Sequence, residues 1–177
     1  MIRLFVALAL PDTVAEDLAR LQAGVPGARW STRDQLHLTL RFIGEVDGRD
    51  AAAIDDALIA IDAPGFELAL KGVGEFGGKN PRALWAGVRD PEPVKFLARK
   101  IETALQRIGL PAEERKFVPH VTLARLRASP RGQVMDFLTD HALYASPLFE
   151  VGGFILYSSV LTSDGSIYTA ERAYRLH

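Results

Sequence analysis

The sequence predicts a mixed helix-and-strand fold in which two related lobes form one domain over residues 1–177. Three observations lead there. A chain of 177 residues with 48% hydrophobic content has enough apolar side chains for a proper core. The four residues His37-Leu38-Thr39-Leu40 return as His120-Val121-Thr122-Leu123. The order strand, helix, loop, His-Thr strand also occurs twice, from Arg3 to Phe42 and from Arg82 to Arg125, with 34 residues from Arg3 to His37 and 38 from Arg82 to His120. A pseudo-twofold pair of lobes brings the two motifs together.

Taken in order, Arg3 to Leu10 reads as a buried first strand. Pro11 and Asp12 supply helix-start chemistry, Val14, Leu18 and Leu21 share one helical face, and Gly24 stops the helix. Leu36 to Phe42 alternates as a strand, and Gly44 to Gly48 predicts a turn into a second helix striped by Ile54, Leu58 and Ile61 and ended by Pro64-Gly65. Phe66 to Val73 alternates again. Glycines 72, 74, 77 and 78 with Lys79-Asn80-Pro81 match neither common phosphate-cradling spacing and read as a hairpin turn. Arg82 to Val88 is a strand, followed by a long helix carrying Val94, Leu97, Ile101, Leu105 and Ile108, which Gly109 and Pro111 terminate. A charged loop, Glu113 to Lys116, precedes the second His-Thr strand, Val118 to Leu123. Ser129-Pro130 opens a short helix to about Leu138, and strands at Phe149–Leu161 and Ser166–Leu176, joined through Asp164-Gly165, close the pattern.

Composition narrows the function classes. A net charge of −1 argues against coating nucleic acid by bulk electrostatics but allows a local basic cleft. The basic residues are 16 Arg and 5 Lys; Arg suits bidentate phosphate contacts, and a bias in genome composition gives the same ratio. With no Cys, thiolate catalysis, disulfides and Cys-based zinc sites are excluded. The apolar run Leu4 to Leu10 is at the lower limit for a signal-peptide core and leads into a helix start, and no stretch approaches the roughly 20 apolar residues of a membrane span. The expectation is a soluble, cytoplasmic protein with no membrane partner.

In a strand, side chains two apart share a face, so each motif offers an imidazole and a hydroxyl on one side while Leu38, Leu40, Val121 and Leu123 anchor the other. Paired histidines divide acid and base work, and hydroxyls beside them suit equatorial oxygens carrying negative charge. That combination describes phosphoryl chemistry, with one His on each side of an in-line displacement. The rival reading is metal ligation, but H-x-T lacks the second ligand of H-x-H or H-x-x-x-H and no Cys helps, so no metal or other cofactor is expected. His141 and His177 have no comparable context and read as solvent-facing.

These residues resemble the two-histidine phosphoesterase superfamily, specifically the bacterial RNA 2′,3′-cyclic phosphodiesterases historically called 2′-5′ RNA ligases. The likeness is carried by both H-x-T-x motifs, the start Arg3-Leu4-Phe5-Val6-Ala7-Leu8, Trp30, His37 to Val46, Leu84-Trp85-Ala86-Gly87-Val88, Pro119 to Arg125, and Ser158-Ser159-Val160-Leu161 to Tyr174. The resemblance implies a bilobal α+β fold with antiparallel sheets and flanking helices around a central cleft. It also implies metal-independent opening of RNA 2′,3′-cyclic phosphate ends to 2′-phosphates; the expectation is a monomer that acts on such ends or on small cyclic nucleotides. His37 then donates the proton to the leaving 3′ oxygen and His120 accepts one from water, while Thr39 and Thr122 bind phosphate oxygens. Two further phosphate contacts are expected. Arg125 is the first choice, although an undisturbed strand points it away from His120, so its use needs a bulge; Arg41 has the right parity with His37. The segment Arg107–Arg131 carries Arg107, Arg115, Lys116, Arg125, Arg127 and Arg131 against Glu113 and Glu114, a charge that guides an RNA end or simply solvates a loop. The competing functions are opening of other cyclic phosphates, cleavage of 2′-5′ linkages, the reverse ligation, and a non-catalytic RNA-end binding module.

Overall fold

A computed structural model describes residues 1–177. The strands are β1 (Ile2–Ala9), β2 (Ala28–Trp30), β3 (His37–Val46), β4 (Phe66–Leu68), β5 (Leu70–Phe76), β6 (Ala83–Val88), β7 (Val121–Leu126), β8 (Phe149–Val151), β9 (Gly153–Thr162) and β10 (Gly165–Arg175). The helices are α1 (Asp12–Leu21), α2 (Gly48–Ile59), α3 (Glu92–Arg107) and α4 (Arg131–Asp140). Eight strands form one antiparallel sheet in the order β10-β9-β1-β3-β7-β6-β5, with β2 added to β7, and β4 pairs with β8 in a second, two-stranded sheet.

The duplicated order maps directly onto this sheet. β1 lies beside β3, with α1 between them in sequence, and β6 lies beside β7, with α3 between them. The two units meet where β3 meets β7, so the fold is α+β and two-lobed, as the sequence predicts. The helices follow their sequence signals. In α1, Asp12 in the first turn and Arg20 in the last complement the helix dipole, while Val14, Ala15 and Leu18 are buried. Asp47 caps α2 by accepting from the Asp50 N–H at 2.8 Å. In α3, Val94, Leu97, Ala98, Ile101 and Leu105 form the buried stripe, and the helix packs on β3 and α2. One continuous apolar core joins these faces to Leu38, Leu40, Val121 and Leu123.

Several boundaries differ from the sequence expectation for identifiable reasons. The turn expected at Gly44 is absent, and β3 continues to Val46. Gly44 adopts φ +92° beside a register shift against β1, which absorbs Ile43 as an extra residue, so the glycine serves a bulge inside a strand. The strand expected from Phe66 splits at Ala69 because its two pieces join different sheets. The strand expected from Phe149 to Leu161 breaks at Gly152 in the same way, its first three residues pairing with β4. β2, three residues long, is too short for any periodicity to reveal.

Candidate active site

The seam between the lobes builds the site. Leu38 on β3 is paired with Val121 on β7, and both are fully buried. Because side chains alternate, His37, Thr39, His120 and Thr122 all stand on the opposite face of the sheet. The antiparallel register places His37 across from Thr122 and Thr39 across from His120, with Cβ separations of about 5 Å expected of such pairs. The four residues singled out from sequence therefore form one rectangle.

The backbone orients both rings in the same way. His37 Nδ1 lies 2.7 Å from the Gln35 carbonyl, and His120 Nδ1 lies 2.6 Å from the Val118 carbonyl. A carbonyl oxygen only accepts, so each Nδ1 carries its hydrogen and each Nε2 is the nitrogen left for chemistry. His37 Nε2 is 2.8 Å from the Thr39 hydroxyl, which donates to it when the ring is neutral. Burial lowers the His37 pKa from 6.5 to about 4; the Gln35 hydrogen bond opposes this, and the charge of His120 adds to it.

Aromatic rings account for that burial. Phe5 sits 5.0 Å from the His37 ring, Tyr168 meets it edge-on at 5.3 Å, and Tyr157 stacks on Phe5. Across the seam, Phe76 meets His120 edge-on at 5.0 Å and Trp85 lies 6.2 Å away. Trp85 fits there only because Gly74 has no side chain, since a Cβ at Gly74 would come within 2.2 Å of the indole. Sequence reasoning identified neither these rings nor the two carbonyls.

The two arginines expected as phosphate contacts end on opposite faces, because each His-Thr strand carries a bulge just after its threonine. Against β1, the register jumps from Thr39↔Ala7 to Arg41↔Val6, skipping Leu40. Against β6, it jumps from Thr122↔Trp85 to Ala124↔Leu84, skipping Leu123. Each bulge shifts the parity beyond it. Arg41 is consequently turned to the far face, where its Nε lies 2.5 Å from Glu102 of α3 and it donates to the Pro111 carbonyl. That corrects the expectation from strand parity. Phe42 takes the site face instead, 5.9 Å from Phe5. Arg125, five residues after His120 as Phe42 is five after His37, is likewise carried to the site face and is exposed. The bulge its use requires is present.

Glu102 completes the far-side network. Burial alone would raise its carboxyl, but hydrogen bonds from Arg41, Gln106 and the Glu113 amide outweigh this and hold it below the usual carboxylate value. The network fastens the segment that leads into His120. On the site face, the quartet supplies two nitrogen bases and two hydroxyls, and no group of three or more His, Asp or Glu side chains is gathered in a metal-binding arrangement. His141 packs on Phe137, and His177 pairs with Asp62, so neither belongs to the quartet.

Known proteins show the same plan. The model of the 2′-5′ RNA ligase superfamily matches residues 10–160. The RNA 2′,3′-cyclic phosphodiesterase of Thermotoga maritima is 32% identical over 173 residues, covering 94% of this chain and 91% of that protein. That of Archaeoglobus fulgidus is 30% identical over 177 residues, covering 97% and 99%. Among solved structures, E. coli LigT complexed with 3′-AMP superposes with a TM-score of 0.81 at 28% identity, covering 99% of this chain and 98% of that one. TT0787 of Thermus thermophilus gives 0.79 at 29% identity, covering 98% and 97%.

Proposed function

Because this chain belongs to the 2′-5′ RNA ligase superfamily, we propose that it hydrolyses the 2′,3′-cyclic phosphate ends of RNA, or of small nucleotides, to 2′-phosphates, its two lobes working as one domain. The observation that carries the reading is the rectangle of His37, Thr122, Thr39 and His120 across the seam, with both Nδ1 atoms tied to backbone carbonyls.

In this reading a water molecule attacks phosphorus while the His120 Nε2 takes its proton. The bond from phosphorus to the 3′ oxygen breaks on the opposite side, and the His37 Nε2 gives that oxygen its proton. Thr39 and Thr122 donate to the equatorial oxygens, and Arg125 adds positive charge from the site-face strand. The hydrogen bond of His120 to its carbonyl is exposed and that of His37 part-buried, which suits a base facing water and an acid enclosed against the leaving oxygen. Burial keeps His37 neutral in the empty cleft. An anionic phosphodiester placed beside Nε2 reverses that preference, so the acid is charged when substrate arrives. Product release leaves His37 neutral and His120 protonated, and solvent restores both. The RNA end is the partner, and the protein acts as a monomer in the cytoplasm.

Product analysis tests this. Adenosine 2′,3′-cyclic phosphate and a cyclic-ended oligonucleotide should each yield a 2′-phosphate. On a substrate whose leaving group needs no proton, His37→Ala should regain activity while His120→Ala stays inactive. A 3′-phosphate product, or equal rescue of the two variants, overturns the assignment.

A further inference from the structure

Beyond the rectangle, β7 continues to Arg125, and there its partner is β2. Arg29 is directly paired with Arg125 in that ladder. The neighbouring pair, Trp30 with Ala124, faces the core, where Trp30 packs 5.8 Å from Phe137. Alternation therefore puts both guanidinium-bearing residues on the site face, and both are exposed. Arg29 also lies against the tip of the β9–β10 hairpin. Its Nη2 stands 3.1 Å from where a Cβ on Gly165 would be. That hairpin brings Tyr168 to His37, so Arg29 borders the same cleft.

Like charges directly opposite in a ladder destabilise it. A neighbouring carboxylate could relieve this pair, as carboxylates do for Arg20, Arg33, Arg41, Arg115 and Arg172, yet neither Arg29 nor Arg125 joins any ion pair. The fold nevertheless holds β2 in place through other bonds. The Ser31 amide donates to the Leu123 carbonyl at 2.8 Å, the Ser31 hydroxyl to the Thr122 carbonyl at 3.1 Å, and Gln22 to Leu123 at 3.0 Å. An opposed, unrelieved cation pair held rigidly beside a phosphate-chemistry site is a local conflict that an anion resolves. Arg125 is already assigned to the phosphate reacting in the rectangle, and Arg29 stands one strand further out, on β2, which leaves it to a second anion.

We propose that Arg29 holds the phosphodiester one nucleotide 5′ of the reacting cyclic phosphate, with Arg125 lying between the two anions. The inference rests on the hydrolytic reading above and adds to it a preference for chain ends over mononucleotides. A groove with spaced cations that tracks the backbone is the general device for single strands. It reads charge and leaves the upstream base unspecified.

The test compares two cyclic-ended dinucleotides that differ only in their internal linkage, one a normal phosphodiester and the other an uncharged methylphosphonate. The expected result is a kcat/KM about 10-fold higher for the charged linkage, with the preference lost in Arg29→Gln. The slope of log(kcat/KM) against log salt should also flatten by about 0.7 in that variant, the value for one released counterion on a single strand. Equal rates on the two linkages in the unmodified protein overturn the proposal without reference to any variant. An Arg29→Gln loss that is equal on both linkages overturns it too, because Arg29 would then act on the reacting phosphate or on the fold. Equilibrium binding of the two dinucleotides carrying a 2′-phosphate end reads the same subsite without turnover. If no substrate is hydrolysed yet charged-linkage binding is stronger and Arg29-dependent, only the hydrolytic reading falls; equal binding removes the subsite.

Discussion

Enclosing His37 makes the fold sensitive to acid, and the size of the effect follows from the site. The ring titrates near 6.5 in the unfolded chain and at about 4 in the folded one. The folded value is the lower, so the unfolded state binds more protons between those limits, and stability falls as pH drops through that window. Above 6.5 the penalty is absent, and below about 4 it is complete at about 3 kcal/mol. At pH 4.5 the difference between the two binding curves amounts to about 2 kcal/mol relative to pH 7. Urea unfolding of the unmodified protein and of His37→Gln at both pH values isolates this contribution, because Glu102, Glu113 and the other carboxylates titrate in both. The variant should retain about 2 kcal/mol more of its neutral-pH stability on acidification, seen as a midpoint difference on the order of 1 M urea. Identical pH dependence in the two proteins would show that the aromatic enclosure of His37 does not exclude the proton, and the account of the site would fail there.

Three further outcomes are expected. Thr39→Val and Thr122→Val should each lower kcat on the order of 10-fold to 1000-fold with unfolding midpoints close to the original, and unchanged kcat in both would remove the hydroxyls from transition-state stabilisation. Arg41→Gln and Glu102→Gln should destabilise the protein by similar amounts, about 3 kcal/mol, because each leaves one member of a largely enclosed pair without its partner. If Arg41→Gln raised KM while Glu102→Gln did nothing, Arg41 would be contacting substrate after all. Hydrolysis should survive EDTA, since the imidazoles supply both proton transfers; activity lost on chelation and restored by a divalent ion would assign the site to a metal.

The rectangle was legible in the sequence because it depends only on the two-residue period of a strand and on a motif that occurs twice. His37 with Thr39, and His120 with Thr122, share a face in any extended chain. What followed each threonine was not legible. The bulges at Leu40 and Leu123 are properties of the pairing with β1 and β6, and no single strand announces that its partner will skip a residue. Parity counted along the undisturbed strand therefore favoured Arg41 and demanded an exception for Arg125, whereas the pairing does the reverse. Arg29 was invisible for a related reason, since β2 spans only Ala28–Trp30 and acquires its meaning from lying against β7. The aromatic enclosure of His37 comes from β1 and from the β9–β10 hairpin, which lies more than a hundred residues further along the chain.

In the proposed reaction the matched bulges also bear on how an asymmetric ligand is oriented. A pocket with true twofold symmetry accepts such a ligand in two reversed poses of equal free energy, so half of all encounters would place the wrong oxygen beside each imidazole. The equivalent positions beyond the bulges break that degeneracy, for one rim carries Phe42 and the other Arg125. A hundredfold bias between poses requires only about 2.8 kcal/mol. A cation facing an anion on one rim, against an apolar ring on the other, is a difference of that order. On the proposed function, Phe42 and Arg125 would thus add to the unlike aromatic surroundings of the two histidines in giving a duplicated site one direction.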